Sequence, residues 1–85
     1  MDTARVRSWT VLLQPGDVLD YRPEDWADTL LVIDCGELEV ECRSGQRARF
    51  GAGAVLTLAG LPLQRLRNCS AEPLVLRAAA RQSRR

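Results

Sequence analysis

The 85-residue sequence has no histidine and no lysine. The first absence removes imidazole as a metal ligand and as a general base. The second removes Schiff-base chemistry and the phosphate-binding lysine of nucleotide loops. All twelve basic residues are arginine. Arginine stays protonated at any working pH, so it binds and orients anions but carries protons poorly. Acid–base work is left to Asp, Glu, Tyr21 or a cysteine. Aromatics are few: Trp9, Tyr21, Trp26 and Phe50. No apolar run approaches the ~18 residues of a membrane span. The opening Met1-Asp2-Thr3-Ala4-Arg5 carries an acid and no apolar stretch, unlike a secretory leader. A cytoplasmic address and no membrane partner are the expectations. The three cysteines, Cys35, Cys42 and Cys69, are odd in number and lack CxxC spacing, which argues against zinc. They read as small buried apolar residues, with Cys69, in a polar turn, as the candidate reactive thiol.

What is present is ordinary for a globular domain: 46% hydrophobic and 27% charged residues, enough to argue against disorder. The length allows one domain, residues 1–85, burying roughly 60–65% of its unfolded surface. The packed part is expected over about 7–79, with 80–85 as a frayed tail. Net charge is +1 but uneven. Residues 1–42 hold ten acids and three arginines, whereas residues 43–85 hold nine arginines and one acid, Glu72. If the fold interleaves the halves, these charges pair; if not, opposite faces drive self-association or dock a partner.

The patterning is β throughout. Residues 7–13 form a β-rich run ending at the turn Gln14-Pro15-Gly16-Asp17. Val18–Tyr21 is a short strand, and Arg22-Pro23-Glu24-Asp25 breaks into a loop. Thr29–Cys35 is an apolar strand closed by Gly36. Glu37–Cys42 alternates acid and apolar residue without fault, so one face is core and the other solvent. Arg47–Phe50, Val55–Leu58, Leu63–Asn68 and Leu74–Arg77 are further strands, separated by Ser44-Gly45, Gly51-Ala52-Gly53, Gly60-Leu61-Pro62 and Cys69–Pro73. Ala78–Arg85 reads as a frayed helix or disordered. About eight short strands with turns every 8–12 residues predict an all-β, antiparallel jelly roll rather than a five-stranded barrel.

Two segments carry a family resemblance. Leu30-Leu31-Val32-Ile33-Asp34-Cys35-Gly36-Glu37-Leu38-Glu39-Val40 resembles the end of the first motif of the small single-domain cupins, a jelly-roll β-barrel family. Gly53 to Asn68, with its strand, Gly60-Leu61-Pro62 turn and Asn68 four residues after Gln64, resembles the second motif. Gln14-Pro15-Gly16-Asp17 fits the turn before the first motif, and Phe50 and Gly53 bracket a turn the family commonly has. The match spans about residues 11–77. It implies a cupin-like β-barrel, but not the family's metal site. Thr29 stands at the first motif's glutamate position, Arg22 to Asp25 cover the His-x-His region, and Gln64 replaces the second-motif histidine. None of Thr29, Arg22, Pro23 or Gln64 is a good transition-metal ligand. Glu24, Asp25 and Asp28 are the oxygen donors left for a hard cation. The expectation is a bacterial-type cupin with no metal and no cofactor.

Alternation then places Thr29, Leu31, Ile33 and Cys35 on one inner face, Leu38, Val40 and Cys42 on another, and Gln64, Leu66 and Asn68 along the second-motif strand. Ligand-binding candidates are Gln64, Asn68 and Thr29 inside, with Arg22 and Trp26 at a rim shared with Tyr21. The alternative is that the small barrel fills with its own side chains and that Gln64 and Asn68 satisfy backbone groups. Candidate catalytic residues are Glu24, Asp25 and Tyr21. Arg47, Arg49, Arg65 and Arg67 read as a solvated face paired to Glu37, Glu39 and Glu41, so nucleic acid is not expected. Three functions remain open: a binding or sensory module for a small, anionic metabolite; a metal-independent isomerase or lyase using the loop carboxylates; and a filled barrel acting as a protein-interaction subunit. The resemblance also implies a homodimer formed through barrel faces or an exchanged N-terminal strand around Trp9.

Overall fold

Each turn of the sequence redirects a short alternating segment, and the segments pair as a long hairpin wrapped on itself. The computed structural model describes residues 5–82. The strands are β1 (Arg5–Leu13), β2 (Val18–Asp20), β3 (Thr29–Cys35), β4 (Glu37–Cys42), β5 (Arg47–Gly51), β6 (Val55–Leu56), β7 (Leu63–Arg67) and β8 (Leu74–Gln82). A single 3-10 turn covers Pro23–Asp25. β1 pairs with β8, β2 with β7, β3 with β6 and β4 with β5, all antiparallel. The result is two four-stranded sheets, β1-β8-β3-β6 and β2-β7-β4-β5. This is the jelly-roll order. The sheets pack as a sandwich and do not close into a continuous barrel. Among the described residues no helix is long and apolar enough to cross a membrane.

The inner faces are closed by branched aliphatic residues. Leu31, Ile33, Leu38, Leu66, Leu74 and Leu76 are each almost wholly out of water. Each contributes about 1.5–3 kcal/mol of burial, which is what a chain this small needs to hold together. Alternation places Thr29, Leu31 and Ile33 inside as expected. A β-bulge between Ile33 and Cys35 then turns Cys35 outward, so its inner placement is corrected. Cys42 is half-buried and Cys69 exposed, so the cysteines are not a buried apolar set.

Most strand ends match the sequence reading to within a residue or two, and two differences bear on the core and the tail. The strand expected over 55–58 shortens to Val55–Leu56, although Leu58 still enters the core. The tail expected from residue 80 is strand as far as Gln82, and residues 83–85 lie outside the described residues. Alanine disfavours strands in isolation, but β8 lies between β1 and β3, and both supply it with hydrogen-bonding partners. Ala78 and Ala80 point inward and are buried.

The outer face of the second sheet explains the uneven charge. Glu37, Glu39 and Glu41 line the outside of β4, between Arg47 and Arg49 on β5 and Arg65 and Arg67 on β7. Arg49 Nε is 3.4 Å from Glu39 Oε2, and Arg67 Nη2 is 3.5 Å from Glu41 Oε1. The acidic and basic halves of the chain are thus interleaved strand by strand, and the expected pairing is borne out. The outer pair of Arg49 with Glu37 is exposed on both sides and contributes little singly. Glu39, only 4% exposed under its arginine neighbours, depends on Arg49 more than the rest.

Gly36 makes the corner where the chain leaves the first sheet for the second. Its φ is +90°, and a Cβ there would lie 2.6 Å from the Pro73 carbonyl oxygen and 2.7 Å from Leu74 Cα. Gly53 has a similar φ of +91° but open space around it. Gly36→Ala is therefore expected to cost about 2–5 kcal/mol, combining backbone strain with a backbone clash, and Gly53→Ala only the strain of about 1–2 kcal/mol. Urea unfolding of the two variants measures the difference; equal losses would refute the corner contact.

Candidate functional site

The two ends of the sandwich are built differently. At one end Asn68 follows β7 and is fully buried. Its Nδ2 donates to the carbonyls of Leu13 at 3.0 Å and Glu72 at 2.8 Å. Its Oδ1 accepts from the Ser70 N–H at 3.0 Å and the Ser70 hydroxyl at 2.7 Å. An amide has two donors and two acceptor lone pairs, and here protein groups use all four. Asn68 therefore takes the structural role, not that of a ligand contact.

The opposite end is aromatic. Arg7, Trp9 and Val11 share the inner face of β1, two residues apart, with Arg7 facing Ala80 and Trp9 facing Ala78. These small alanines leave room above β8 that indole rings occupy. Trp9 and Trp26 have ring centroids 6.4 Å apart at a 43° tilt. Trp26 arrives from the 3-10 turn, where its N–H donates to the Pro23 carbonyl at 3.2 Å. Asp28, at φ 54°, then swings the chain into β3. Trp26 is 4% exposed, so it is a core residue and not the expected rim. The Arg7 guanidinium lies 4.7 Å from the Trp9 ring centroid, an exposed cation–π contact worth about 0.5–1 kcal/mol.

The remaining candidates are dispersed. Thr29 is buried beside this aromatic end and donates its hydroxyl to the Ala27 carbonyl at 3.0 Å. Half-buried Tyr21 donates its hydroxyl to the Leu58 carbonyl at 3.0 Å. Arg22, Glu24 and Asp25 are exposed on and before the 3-10 turn. Gln64 does not point inward. Glu41 pairs with Arg65 and Cys42 with Leu63, so Gln64 is the extra residue of a β-bulge. The bulge buries Leu63 and leaves Gln64 exposed. The expected inner cluster of Gln64, Thr29 and Asn68 is thus not assembled: Asn68 lies at the far end of β7, about 13 Å along the strand from Gln64 at ~3.3 Å per residue. Arg7 is not among the sequence candidates; its signal is the Arg7-Ser8-Trp9 spacing, which puts cation and indole on one strand face.

The residues do not fit the divalent metal that this fold often holds. Thr29 is bonded to the backbone, Gln64 is outside, and among the described residues no three His, Cys, Asp or Glu side chains converge. Glu24, Asp25 and Asp28 are not among residues that the described structure brings together as a cluster of oxygen donors.

These geometries separate two amides that the sequence alone treats alike. Asn68→Ala is expected to cost about 2–4 kcal/mol, because it strips partners from buried carbonyls of two turns. Gln64→Leu is expected to change stability by less than about 0.5 kcal/mol, as at other exposed positions. Denaturant titration of both variants checks this, and a large loss at Gln64 would overturn the bulge assignment.

No protein-family model and no curated protein sequence matches the chain. Solved structures do. A cupin domain of an XRE-family transcriptional regulator from Enterobacter cloacae superposes with a TM-score of 0.73 at 21% identity, covering 93% of this chain and 83% of that one. A cupin domain from Bordetella pertussis gives 0.66 at 18% identity, covering 98% and 88%. The regulatory subunit of a cAMP-independent protein kinase A from Trypanosoma brucei gives 0.53 at 17% identity, covering 87% of this chain and 29% of that one. At these identities the likeness is one of fold, and it agrees with the strand order found here: the chain has the fold of a small cupin domain.

Proposed function

We propose that the chain is a metal-free, non-catalytic cupin module that acts by protein contact, as a homodimer, through its outer surfaces. The observation that carries this reading is the filled interior. The inner faces are closed by leucine, isoleucine and tryptophan, Asn68 has all its hydrogen-bonding capacity used by the protein, and Gln64 stands outside. Enzymatic use of Glu24 and Asp25 loses support because both are exposed on a surface turn, where water screens them and nothing encloses a substrate. A regulatory role also accords with the fold likeness to the cupin domain of a transcriptional regulator.

One observation favours a second reading, a sensory module for a small anion. Arg7 presents an exposed guanidinium against Trp9 at the aromatic end of the sandwich, a pairing that suits a flat carboxylate. The two readings part in a thermal-shift screen against carboxylates, sugar phosphates and divalent cations. A ligand present at a hundred times its Kd adds about 2.7 kcal/mol, or roughly 10–20 °C for a domain this size. The protein-contact reading predicts no such shift, and dialysed protein with less than about 0.1 equivalent of transition metal per chain, given its donor set. A saturable shift abolished by Arg7→Ala would replace it with the sensory reading.

A further inference from the structure

A β-sheet ends in strands whose outer backbone groups lack a partner, and folded proteins keep such edges short, charged or covered. Three of the four edges here follow that rule. β2 is three residues long, β6 is two, and β5 carries Arg47 and Arg49. The fourth edge is β1, nine residues without a proline, paired with β8 along one side. Among the described residues, no backbone group outside β8 bonds to the stretch 6–12. Val6, Arg7, Ser8, Thr10 and Leu12 are all exposed along it. In an antiparallel ladder alternate residues direct their N–H and C=O to opposite edges, so every second residue of this stretch presents both groups to water.

We propose that the free edge of β1 docks an extended segment of another protein as an added antiparallel strand, with a carboxylate opposite Arg7 and aliphatic side chains opposite Trp9 and Val11. The proposal rests on the protein-contact reading above and goes beyond it, because the partner is not a second copy. In strand addition the main-chain bonds supply the attachment and the alternating side chains supply the selection. Arg7, Trp9 and Val11 form a row on the inner side of β1, and Val6, Ser8, Thr10 and Leu12 form one on the outer side. An added strand continues both rows, since residues directly opposite share a face. Aliphatic neighbours beside Trp9 and Val11 extend the partly buried margin of the core. Hydroxyl-bearing neighbours suit Ser8 and Thr10. An inward charge on an edge strand discourages indiscriminate pairing. Here the charge also chooses the partner. Among the described residues Arg7 makes no ion pair, and its guanidinium rests on the Trp9 ring. β1 contains two arginines and no acid, so no register of β1 against another β1 supplies the carboxylate.

Amide hydrogen exchange of the full chain, followed residue by residue in NMR spectra, tests this. The probe is the synthetic peptide acetyl-Thr-Val-Thr-Val-Thr-Glu-Val-amide. In antiparallel register its glutamate falls opposite Arg7 and its valines opposite Val11, Trp9 and Val6. In the protein alone, alternate amides over residues 6–12 are expected to exchange fast, while those bonded to β8 exchange slowly. Excess peptide is expected to slow the fast set by at least about tenfold and to leave the slow set unchanged. Replacing the peptide's glutamate by lysine is expected to weaken binding by at least about fivefold, and Arg7→Glu is expected to reverse that preference. Circular dichroism and melting confirm that the variant, altered at an exposed position, is folded. A fast set already protected without peptide, a fast set that excess peptide leaves unprotected, or an Arg7→Glu chain that keeps the original preference would each overturn the docking strand. The underlying reading fails separately: a small-molecule ligand in the thermal-shift screen replaces it, whereas an edge indifferent to the peptide removes the docking strand alone.

Discussion

Asn68 holds the two sheets in their relative positions, and much of the molecule is arranged around it. Its side chain reaches the end of β1, which belongs to the first sheet, from the end of β7, which belongs to the second. Its backbone does the same for the preceding turn: the Gly16 N–H donates to the Asn68 carbonyl at 2.9 Å, and the Asn68 N–H donates to the Asp17 carbonyl at 3.1 Å. A buried amide left unpartnered costs about 1–3 kcal/mol, so this network holds together as a set or not at all. The loop it organises, residues 69–73, also supplies the Pro73 carbonyl against which Gly36 turns. One end of the sandwich is thereby fixed by polar contacts, and the β1–β2 and β3–β4 crossings between the sheets are tied to the same loop.

With that end closed, the interior is left to apolar packing, and the polar groups are driven outward. The bulge at Gln64 is the clearest instance. Without the extra residue, strict alternation would bury Gln64 in line with Leu66 and turn Leu63 to solvent. The bulge exchanges them, so a buried amide with four bonding positions to fill is replaced by a leucine. The same economy governs charge. Arginines from the second half of the chain lie beside glutamates from the first, so a sequence of two oppositely charged halves folds into a nearly neutral sheet face.

Strand alternation and turn chemistry make most of this fold legible. Thr29–Cys35 and Glu37–Cys42 match β3 and β4 at both ends because each is bounded by a hard stop, and the acid-apolar alternation of β4 gives the correct face for every residue through Val40. Bulges are not legible. The irregularities at Cys35 and Gln64 shift register by one residue, which reverses the face of the strand beyond them, and neither position carries a glycine to mark it. The site suffers most from this, because extending alternation through those positions selects candidates that face the wrong way. The Ala-rich end of β8 is obscure for another reason: its strand state comes from neighbours distant in sequence. A rim position suits Trp26 as a residue after a loop, whereas its indole is drawn inward by the space that alanines on β8 leave.

That last point joins the interior to the outer face. The run Ala78-Ala79-Ala80 lies in the middle of a sheet, where large β-branched residues would normally fill both sides. On the inner side the missing volume is recovered within the chain, where Trp9 faces Ala78 across the strands and packs with Trp26. On the outer side Ala79 is half-exposed among the described residues, and grooves lie there between Val6, Leu30 and Val32. A surface selected only for solubility would place charge in such a row, as the second sheet does. Here Arg77 and Arg81 lie among Val6, Leu30, Val32 and Val55 instead, with Arg77 in the same row as Val32 and Val55. The small residues of β8 thus leave room on both sides of the sheet, for the chain's own indoles within and as open grooves without.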